Sequence, residues 1–366
     1  MAASALPSGR MRSVDFFRGL TMFLLIGEFS GLFELLVEPP FEGGPVAAIA
    51  TQLHHHPWNG LRFWDLIQPF FMFIVGVSLA LSVRNRLRRG ASRRDLNRHV
   101  LQRSLLLLLL GWGLYCIDDG AITWRFQNVL AQLAVTYPLA YLVMGKPARF
   151  QLVFSLVLLA LAEGLYRLFP LEGFNQPFTA GHNIGEWLEL QLNGKIPGGH
   201  WVSLNALSTT AHTIWGVLAG QWLLGTESPQ KKLRMLLLAG GVLLVAGYAL
   251  DPVTPIIKRI ATTSFVLASG GWTLLALACS YWLIDLKKKD RAVLFFAVVG
   301  MNPLFIYLFA HVGGGRLLER ILDPFTHALF GWGGEAAGAV ATALAVWAAL
   351  WGICWWLYKK GIFIRI

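Results

Sequence analysis

Three consecutive histidines stand shortly before an aspartate in one segment of the chain. His54, His55 and His56 come first, and Asp65 follows ten residues after His55. Imidazole titrates near neutral pH, so one of the three could act as a general base or a nucleophile. Metal binding is a weaker interpretation, because the side chains of consecutive residues rarely point at one metal ion. Another alternative is that the three are solvated loop histidines without a chemical role. Asp65 suits the start of a helix and could also orient an imidazole.

A second candidate pair lies near the start of the chain. Asp15 and Arg18 are three residues apart, so in a helix they share one face and can form a local ion pair. Alternatively, Arg18 and the basic residues around it could receive an anionic ligand. A guanidinium group matches the geometry of phosphate oxygens.

Ionisable side chains inside or beside apolar segments are further site candidates. Glu28, Glu163 and His212 stand within apolar runs. Such groups are costly in a membrane and usually face a cavity or a partner. Lys258 and Arg259 stand in a loop expected on the outer side of the membrane, where few cations are expected. They could anchor an acidic ligand, or extend their charged ends to the membrane interface.

The composition places these residues in a membrane protein. Of the 366 residues, 55% are hydrophobic and 14% are charged. Soluble domains average about 25% charged residues, so a bilayer must cover part of the surface. The net charge of +11 does not indicate nucleic acid binding, because the basic residues stand between apolar blocks. The three cysteines have no metal-binding spacing, and we expect no metal.

We expect an all-α, polytopic membrane protein with about ten transmembrane helices in a single domain, residues 1–366. A helix needs about 20 residues to cross the hydrocarbon core. The apolar runs lie at 17–37, 65–83, 104–118, 128–145, 150–169, 204–225, 235–250, 263–284, 292–311 and 336–358. Both termini and alternate loops are rich in Lys and Arg, above all the loop 84–103. Cytoplasmic segments carry such an excess, so we expect both termini in the cytoplasm.

Three longer loops then lie on the outer face, at 38–64, 170–203 and 312–335. They contain most of the histidines and several tryptophans, Trp58 among them. Aromatic faces suit sugar rings and imidazoles suit proton transfer, so these loops could form a ligand site. A belt of interfacial tryptophans with incidental histidines is the alternative.

Two runs contain residues that could interrupt a helix. Gly270 and Gly271 stand in the eighth run, and Gly300 stands close to Asn302-Pro303 in the ninth. Each set could produce a kink or a close contact between helices, because small residues let backbones approach in lipid.

Taken together, these stretches resemble a family of multipass membrane acetyltransferases. This family includes the lysosomal heparan-alpha-glucosaminide N-acetyltransferase and bacterial homologues, some of them associated with amino-sugar use. The resemblance runs nearly end to end and rests on residues 12–15, 17–19, 55, 58–60 (Trp-Asn-Gly), 65–67, 69–70, 129–130, 134–137, 262, 264–267, 270–272, 300 and 302–303.

The resemblance implies transfer of an acetyl group from cytosolic acetyl-CoA to the amino group of a glucosamine-type sugar at the outer face. The family's active histidine stands three residues before Trp-Asn-Gly, which selects His55 unless the register slips to a neighbour. His55 and Asp65 are then the catalytic residues. The residues expected to bind coenzyme A are Arg18, Asp15, Gln132 and Asn302. Those expected to bind the acceptor are Glu28, Trp58, Asn59, Lys258 and His212.

The chain departs from the family pattern at several positions. Many relatives have Asn where this chain has Glu28-Phe29, and a Gln-Arg pair where it has Ala131-Gln132. The acceptor, an amino sugar or a hydroxyl-bearing glycan, is therefore open. So is the oligomeric state, monomer or homodimer. A bacterial inner membrane is the expected location. The alternative function is a sugar transporter or flippase, which would also have buried Glu and His and broken helices.

Overall fold

The computed structural model describes residues 11–364, and this part of the chain is helical. It contains no β-strand beyond an isolated bridge between Asn59 and Ile257, so the predicted all-α class is confirmed. The α-helices are α1 (Arg12–Glu28), α2 (Leu32–Leu35), α3 (Pro45–Ala50), α4 (Ile67–Arg88), α5 (Arg93–Asp119), α6 (Val129–Met144), α7 (Ala148–Leu168), α8 (Ile184–Asn193), α9 (Asn205–Leu224), α10 (Pro229–Leu250), α11 (Thr263–Ser280), α12 (Val293–Met301), α13 (Pro303–Phe309), α14 (Gly315–Phe330) and α15 (Glu335–Lys359).

Several helices are long and apolar enough to cross a membrane, which makes this a multipass membrane protein. Counted over residues 11–364 there are six: Phe63–Arg88, Arg93–Asp119, Ala148–Leu168, Pro229–Leu250, Thr263–Leu286 and Glu335–Lys359. A bent pair, Val293–Met301 with Pro303–Gly333, counts as a seventh if it forms one span. The runs predicted at 17–37, 128–145 and 204–225 are also helical, as α1, α6 and α9. Ten crossings and cytoplasmic termini stay predictions.

The outer segments predicted as loops contain helices as well. α3, α8 and α14 lie within 38–64, 170–203 and 312–335 respectively. In α14 the exposed apolar residues Leu317, Ile321, Phe325 and Leu329 recur every four positions. That spacing is typical of an amphipathic helix. A search for uninterrupted apolar runs misses it, because polar residues fill the other face.

One predicted helix boundary was wrong, and the two sets of possible helix breakers differ in what they produce. The first run ends at Glu28 instead of 37, since Gly31 takes a left-handed conformation with φ of 76°. Gly270 and Gly271 do not interrupt α11, which is continuous. They permit close packing, because a Cβ at Gly270 would lie 2.5 Å from the ring of Trp215. The ninth run does break between α12 and α13, where the chain bends by 71°.

The chain divides into two compact units. Within the described residues, the first unit consists of 11–55, Arg62–Ile67 and 279–364. In it, α1 packs against α12 and α14 against α15. A Cβ at Gly19 would lie 2.1 Å from the backbone oxygen of Phe296, so α1 and α12 touch through their backbones.

The second unit consists of His56–Leu61 and Gln68–Ala278. In it, α6 packs against α5 and α9, and α7 packs against α9. A Cβ at Gly76 would lie 2.0 Å from the backbone oxygen of Thr213, so α4 and α9 approach closely only because residue 76 lacks a side chain. The expected single domain over 1–366 stays a prediction.

Candidate active site

The three consecutive histidines have three different neighbours. Nε2 of His54 donates to the backbone oxygen of Phe33 at 2.9 Å. The ring of His56 covers Gly60, where a Cβ would lie 2.6 Å from Nε2 of that ring. His55 differs from both, because its Nδ1 lies 3.1 Å from a carboxylate oxygen of Asp65. The contact with Asp65 is therefore found at His55, and the choice of His55 as the active histidine stays a prediction.

The carboxylate of Asp65 is fixed by its local backbone. Asp65 is fully buried in the short 3₁₀ turn Phe63–Leu66 that leads into α4. Its Oδ2 accepts the backbone N–H of Arg62 at 2.9 Å, and Nη1 of Arg62 donates to the backbone oxygen of His55 at 3.1 Å. Arg62 thus connects the two ends of the loop between His55 and Asp65. With Oδ1 accepting from Nδ1–H, the neutral ring carries its lone pair on Nε2, which is the atom a base or nucleophile needs.

Trp64 connects Glu28 to the pair of His55 and Asp65. Nε1 of Trp64 donates to Oε1 of Glu28 at 3.0 Å, and Trp64 directly precedes Asp65. The Trp64 indole is buried and packs edge-to-face on Phe33 at 5.0 Å. The end of α1 is thereby joined to the turn that holds Asp65. The structure thus places three of the predicted residues, His55, Asp65 and Glu28, in the first unit.

The predicted acceptor residues Trp58, Asn59 and Lys258 lie together in the second unit. Asn59 forms the β-bridge with Ile257, the residue before Lys258. Nε1 of Trp58 donates to the backbone oxygen of Phe178 at 2.7 Å, which ties this segment to the region 170–203. The strand-like contact explains how residues 200 positions apart in the chain become neighbours.

Lys258 and its neighbour Arg259 share one aromatic ring. The guanidinium of Arg259 lies 4.0 Å, and Nζ of Lys258 5.6 Å, from the ring centre of Trp201. Lys258 is 4% exposed. A cation over an indole face is stabilised by the ring, so Trp201 concentrates positive charge at this place. The sequence indicated the two cations, but it did not indicate that Trp201 would join them.

His212 lies between helices of the second unit. It is fully buried in α9, and its Nε2 contacts the backbone oxygen of Val266 at 3.1 Å and the hydroxyl of Ser269 at 3.0 Å. Since a backbone carbonyl only accepts, Nε2 carries the proton. These bonds tie α9 to α11. Glu163 likewise serves as a local tie, since it pairs with Arg167 at 2.7 Å and accepts from Thr254 and Thr263.

The residues predicted to bind coenzyme A are divided between the units. In the first unit, Nη2 of Arg18 lies 2.6 Å from Oδ1 of the buried Asp15, which confirms the local ion pair. Asn302 is fully buried, donates to the backbone oxygen of Ile362 at 3.0 Å and accepts the N–H of Ile364 at 2.8 Å. Its amide thus holds the chain beyond α15. Gln132 lies in the second unit.

Two buried glutamates that the sequence did not indicate lie on α8. Glu186 accepts the N–H of Gly199 at 2.7 Å, and Glu189 accepts the N–H of Ser203 at 2.6 Å. Burial raises the pKa of Glu186, although bonds from Gly199 and Gly181 and the nearby His182 oppose the shift. The two carboxylates hold the chain that follows α8. Their spacing of three residues, among apolar neighbours, was a helical signal within a segment predicted as a loop.

No metal site is found in the part of the chain that the structure describes. Among residues 11–364, no three His, Cys, Asp or Glu side chains come together in an arrangement that could hold a metal ion.

The sequence is similar to a known family model and to proteins from human and mouse. A family model described as "Heparan-alpha-glucosaminide N-acetyltransferase, catalytic" matches residues 10–191. The human heparan-alpha-glucosaminide N-acetyltransferase is 27% identical over 83% of this chain and 53% of its own length. The mouse protein of the same name is 35% identical over 36% of this chain and 18% of its own. The chain thus spans about half the length of the human relative. Over residues 10–191 it is similar to the heparan-alpha-glucosaminide N-acetyltransferase family.

Proposed function

We propose that the protein is a membrane acetyltransferase that moves an acetyl group from acetyl-CoA to the amino group of a glucosamine-type sugar. The observation that supports this most directly is the contact between His55 Nδ1 and the buried carboxylate of Asp65. The names of the human and mouse relatives supply the acetyl group and the amino sugar.

In the proposed reaction, Nε2 of His55 takes a proton from the acceptor amine as its nitrogen attacks the thioester carbonyl. The carbon–sulfur bond breaks, and coenzyme A leaves as the thiol after taking up a proton. Asp65 stabilises the imidazolium that forms. In the second route, Nε2 first accepts the acetyl group and then passes it to the amine. Both routes need the same tautomer.

Coenzyme A is proposed to bind from the cytoplasmic side, near Arg18, Asp15, Gln132 and Asn302. Arg18 would meet phosphate oxygens, while Asp15 holds its guanidinium in place at 2.6 Å. Asn302 would act through the backbone of residues 362 and 364, which its amide holds. The family resemblance supports Arg18, Asp15 and Asn302, whereas Gln132 stands where the chain departs from the family pattern.

The acceptor is proposed to bind on the opposite side of a bacterial inner membrane. Trp58 offers an indole face for a sugar ring, and Asn59 and Lys258 follow from their shared β-bridge. Glu28 would meet the acceptor's ammonium group, since its carboxylate is held by Trp64. His212 would act indirectly, by holding α9 and α11 together.

The decisive experiment measures thiol release by the purified protein in detergent, with acetyl-CoA and glucosamine. We expect release that depends on the added sugar and is lost in His55→Ala, while His54→Ala retains it. Sugar binding without thiol release would overturn the proposal in favour of a transporter. Labelling of single engineered cysteines at residue 55 and in the loop 84–103 tests the topology, which is wrong if both react from one side.

The two routes are separated by incubation with labelled acetyl-CoA alone. Label that becomes attached to the wild-type protein, but not to His55→Ala, identifies the acetyl-histidine route. Absence of attached label, together with sugar-dependent turnover, identifies direct transfer.

A further inference from the structure

A chain of carboxamide groups runs through the second unit. Nε2 of Gln68, at the start of α4, donates to Oε1 of Gln132 on α6. Nε2 of Gln132 donates to the backbone oxygen of Gln127 at 3.2 Å. The side chain of Gln127 in turn donates to Oε2 of Glu189 on α8 at 2.6 Å. Gln132 and Glu189 are 1% and 0% exposed, so these groups depend on each other for hydrogen bonds.

The direction of every bond in this chain is determined. The backbone oxygen of Gln127 can only accept, so Gln132 must present its NH₂ group there. Oε1 of Gln132 therefore faces Gln68, and Gln68 must donate its own NH₂ group. Oε1 of Gln68 is thus left as a hydrogen-bond acceptor. Turning any of these amides over would oppose two acceptors or two donors.

Within residues 11–364, no protein group donates to Oε1 of Gln68. The side chain is half-buried and belongs to the continuous helix Phe63–Arg88, three residues after Asp65. A carbonyl without a hydrogen bond is costly in an apolar environment, so this oxygen faces water or a ligand group.

A second pair of glutamines in the same unit provides the contrast. Gln151 donates to Oε1 of Gln221 at 3.2 Å, and Gln221 donates to the backbone oxygen of Met144 at 2.7 Å. Gln151 also donates to the backbone oxygens of Met144 and Lys146, and it is 1% exposed, so its Oε1 is enclosed by protein. Of these two pairs, the one that begins with Gln68 has its first glutamine partly exposed.

We propose that Gln68 is a substrate-binding residue whose Oε1 accepts a hydrogen bond from an O–H or amide N–H of a bound substrate, and that Gln132 is the positioning residue that determines this orientation. The inference rests on the proposed acetyltransferase function. The donor group is either a hydroxyl of the acceptor sugar or an amide N–H of the pantetheine arm, and the two sources predict different kinetic effects.

The test uses Gln68→Met, which keeps the length of the side chain but removes the acceptor oxygen. The KM values for acetyl-CoA and for glucosamine are measured by thiol release from the full-length protein in detergent. Loss of one neutral hydrogen bond should raise one of them about three- to tenfold and leave the other within about twofold. A rise for glucosamine assigns the sugar hydroxyl, and a rise for acetyl-CoA assigns the pantetheine amide.

Gln132→Met tests the positioning role and also serves if Gln68→Met does not fold. It should raise the same KM, and the double variant should add little to Gln68→Met, because Gln132 acts through Gln68. The matched control is Gln151→Met, which should leave both KM values within about twofold. An active wild type with both KM values unchanged in Gln68→Met, or with Gln151→Met equally affected, overturns the inference alone. A wild type without thiol release overturns the proposed function, and the inference with it.

Discussion

Nδ1 of His55 lies 3.1 Å from Oδ1 of Asp65, while the other carboxylate oxygen of Asp65 accepts the backbone N–H of Arg62. The carboxylate thus has one oxygen committed to the backbone and one to the imidazole. This division of roles determines the tautomer of His55, and it makes the effect of changing Asp65 predictable.

Asp65→Asn should lower kcat about 10²- to 10⁴-fold without unfolding the protein. The Asn oxygen will face the N–H of Arg62, so its NH₂ group will face Nδ1 of His55 and place the ring proton on Nε2. The basic atom is then on the wrong side of the ring. Thiol-release kinetics with a thermal melting curve check this. A folded variant with nearly full kcat would contradict it.

His54→Gln should keep substantial activity, whereas His55→Gln should lose nearly all of it. Nε2 of His54 makes a structural bond to Phe33, and a Gln side-chain amide can replace that donor. The pair of variants has matched chemistry one residue apart, so each is the control for the other. Equal losses in both would show that the chemical role is not specific to His55.

Gly60→Ala should destabilise the protein by about 1–3 kcal/mol. Gly60 has φ of 143°, and a Cβ there would lie 2.6 Å from the ring of His56. The melting temperature in detergent measures the loss. Gly113→Ala is the matched control, because a Cβ at Gly113 in α5 meets nothing within 4 Å. A similar melting temperature for both variants would be inconsistent with the strain at Gly60.

Glu186→Gln should change how stability depends on pH. Burial raises the pKa of Glu186 in the folded protein above its usual value of 4.5. The folded state therefore binds the proton more tightly than the unfolded state, and the wild type loses stability as pH rises from about 4.5 through the raised pKa. Gln cannot ionise, so the stability of Glu186→Gln relative to the wild type should increase as pH rises across this window.

Melting temperatures of both proteins between pH 4 and 8 provide the measurement. Using the difference between the two curves cancels the titration of groups that do not interact with Glu186. Parallel curves would contradict the raised pKa.

The sequence predicted features that depend on local spacing or on composition. Excess apolar residues indicated a helical membrane protein, and a three-residue separation indicated the pair of Asp15 and Arg18. The sequence also suggested that Asp65 could orient an imidazole, and Asp65 contacts His55.

Contacts between residues far apart in the chain were not predictable in the same way. The amide of Asn302 bonds to residues 362 and 364, and Gln68 bonds to Gln132. No periodicity within one helix indicates which distant group will meet a polar side chain. The amphipathic α14 was missed for a different reason, since its polar face interrupts the apolar run.

The separate environments of His54, His55 and His56 have a practical consequence at the bench. In the sequence, the triplet resembles part of a polyhistidine purification tag. In the folded chain His54 is bonded to Phe33, His55 to Asp65, and the His56 ring lies over Gly60. Immobilised nickel should therefore bind this triplet only after denaturation, and retention of the untagged protein on such a column would report that the segment around residues 54–56 has unfolded.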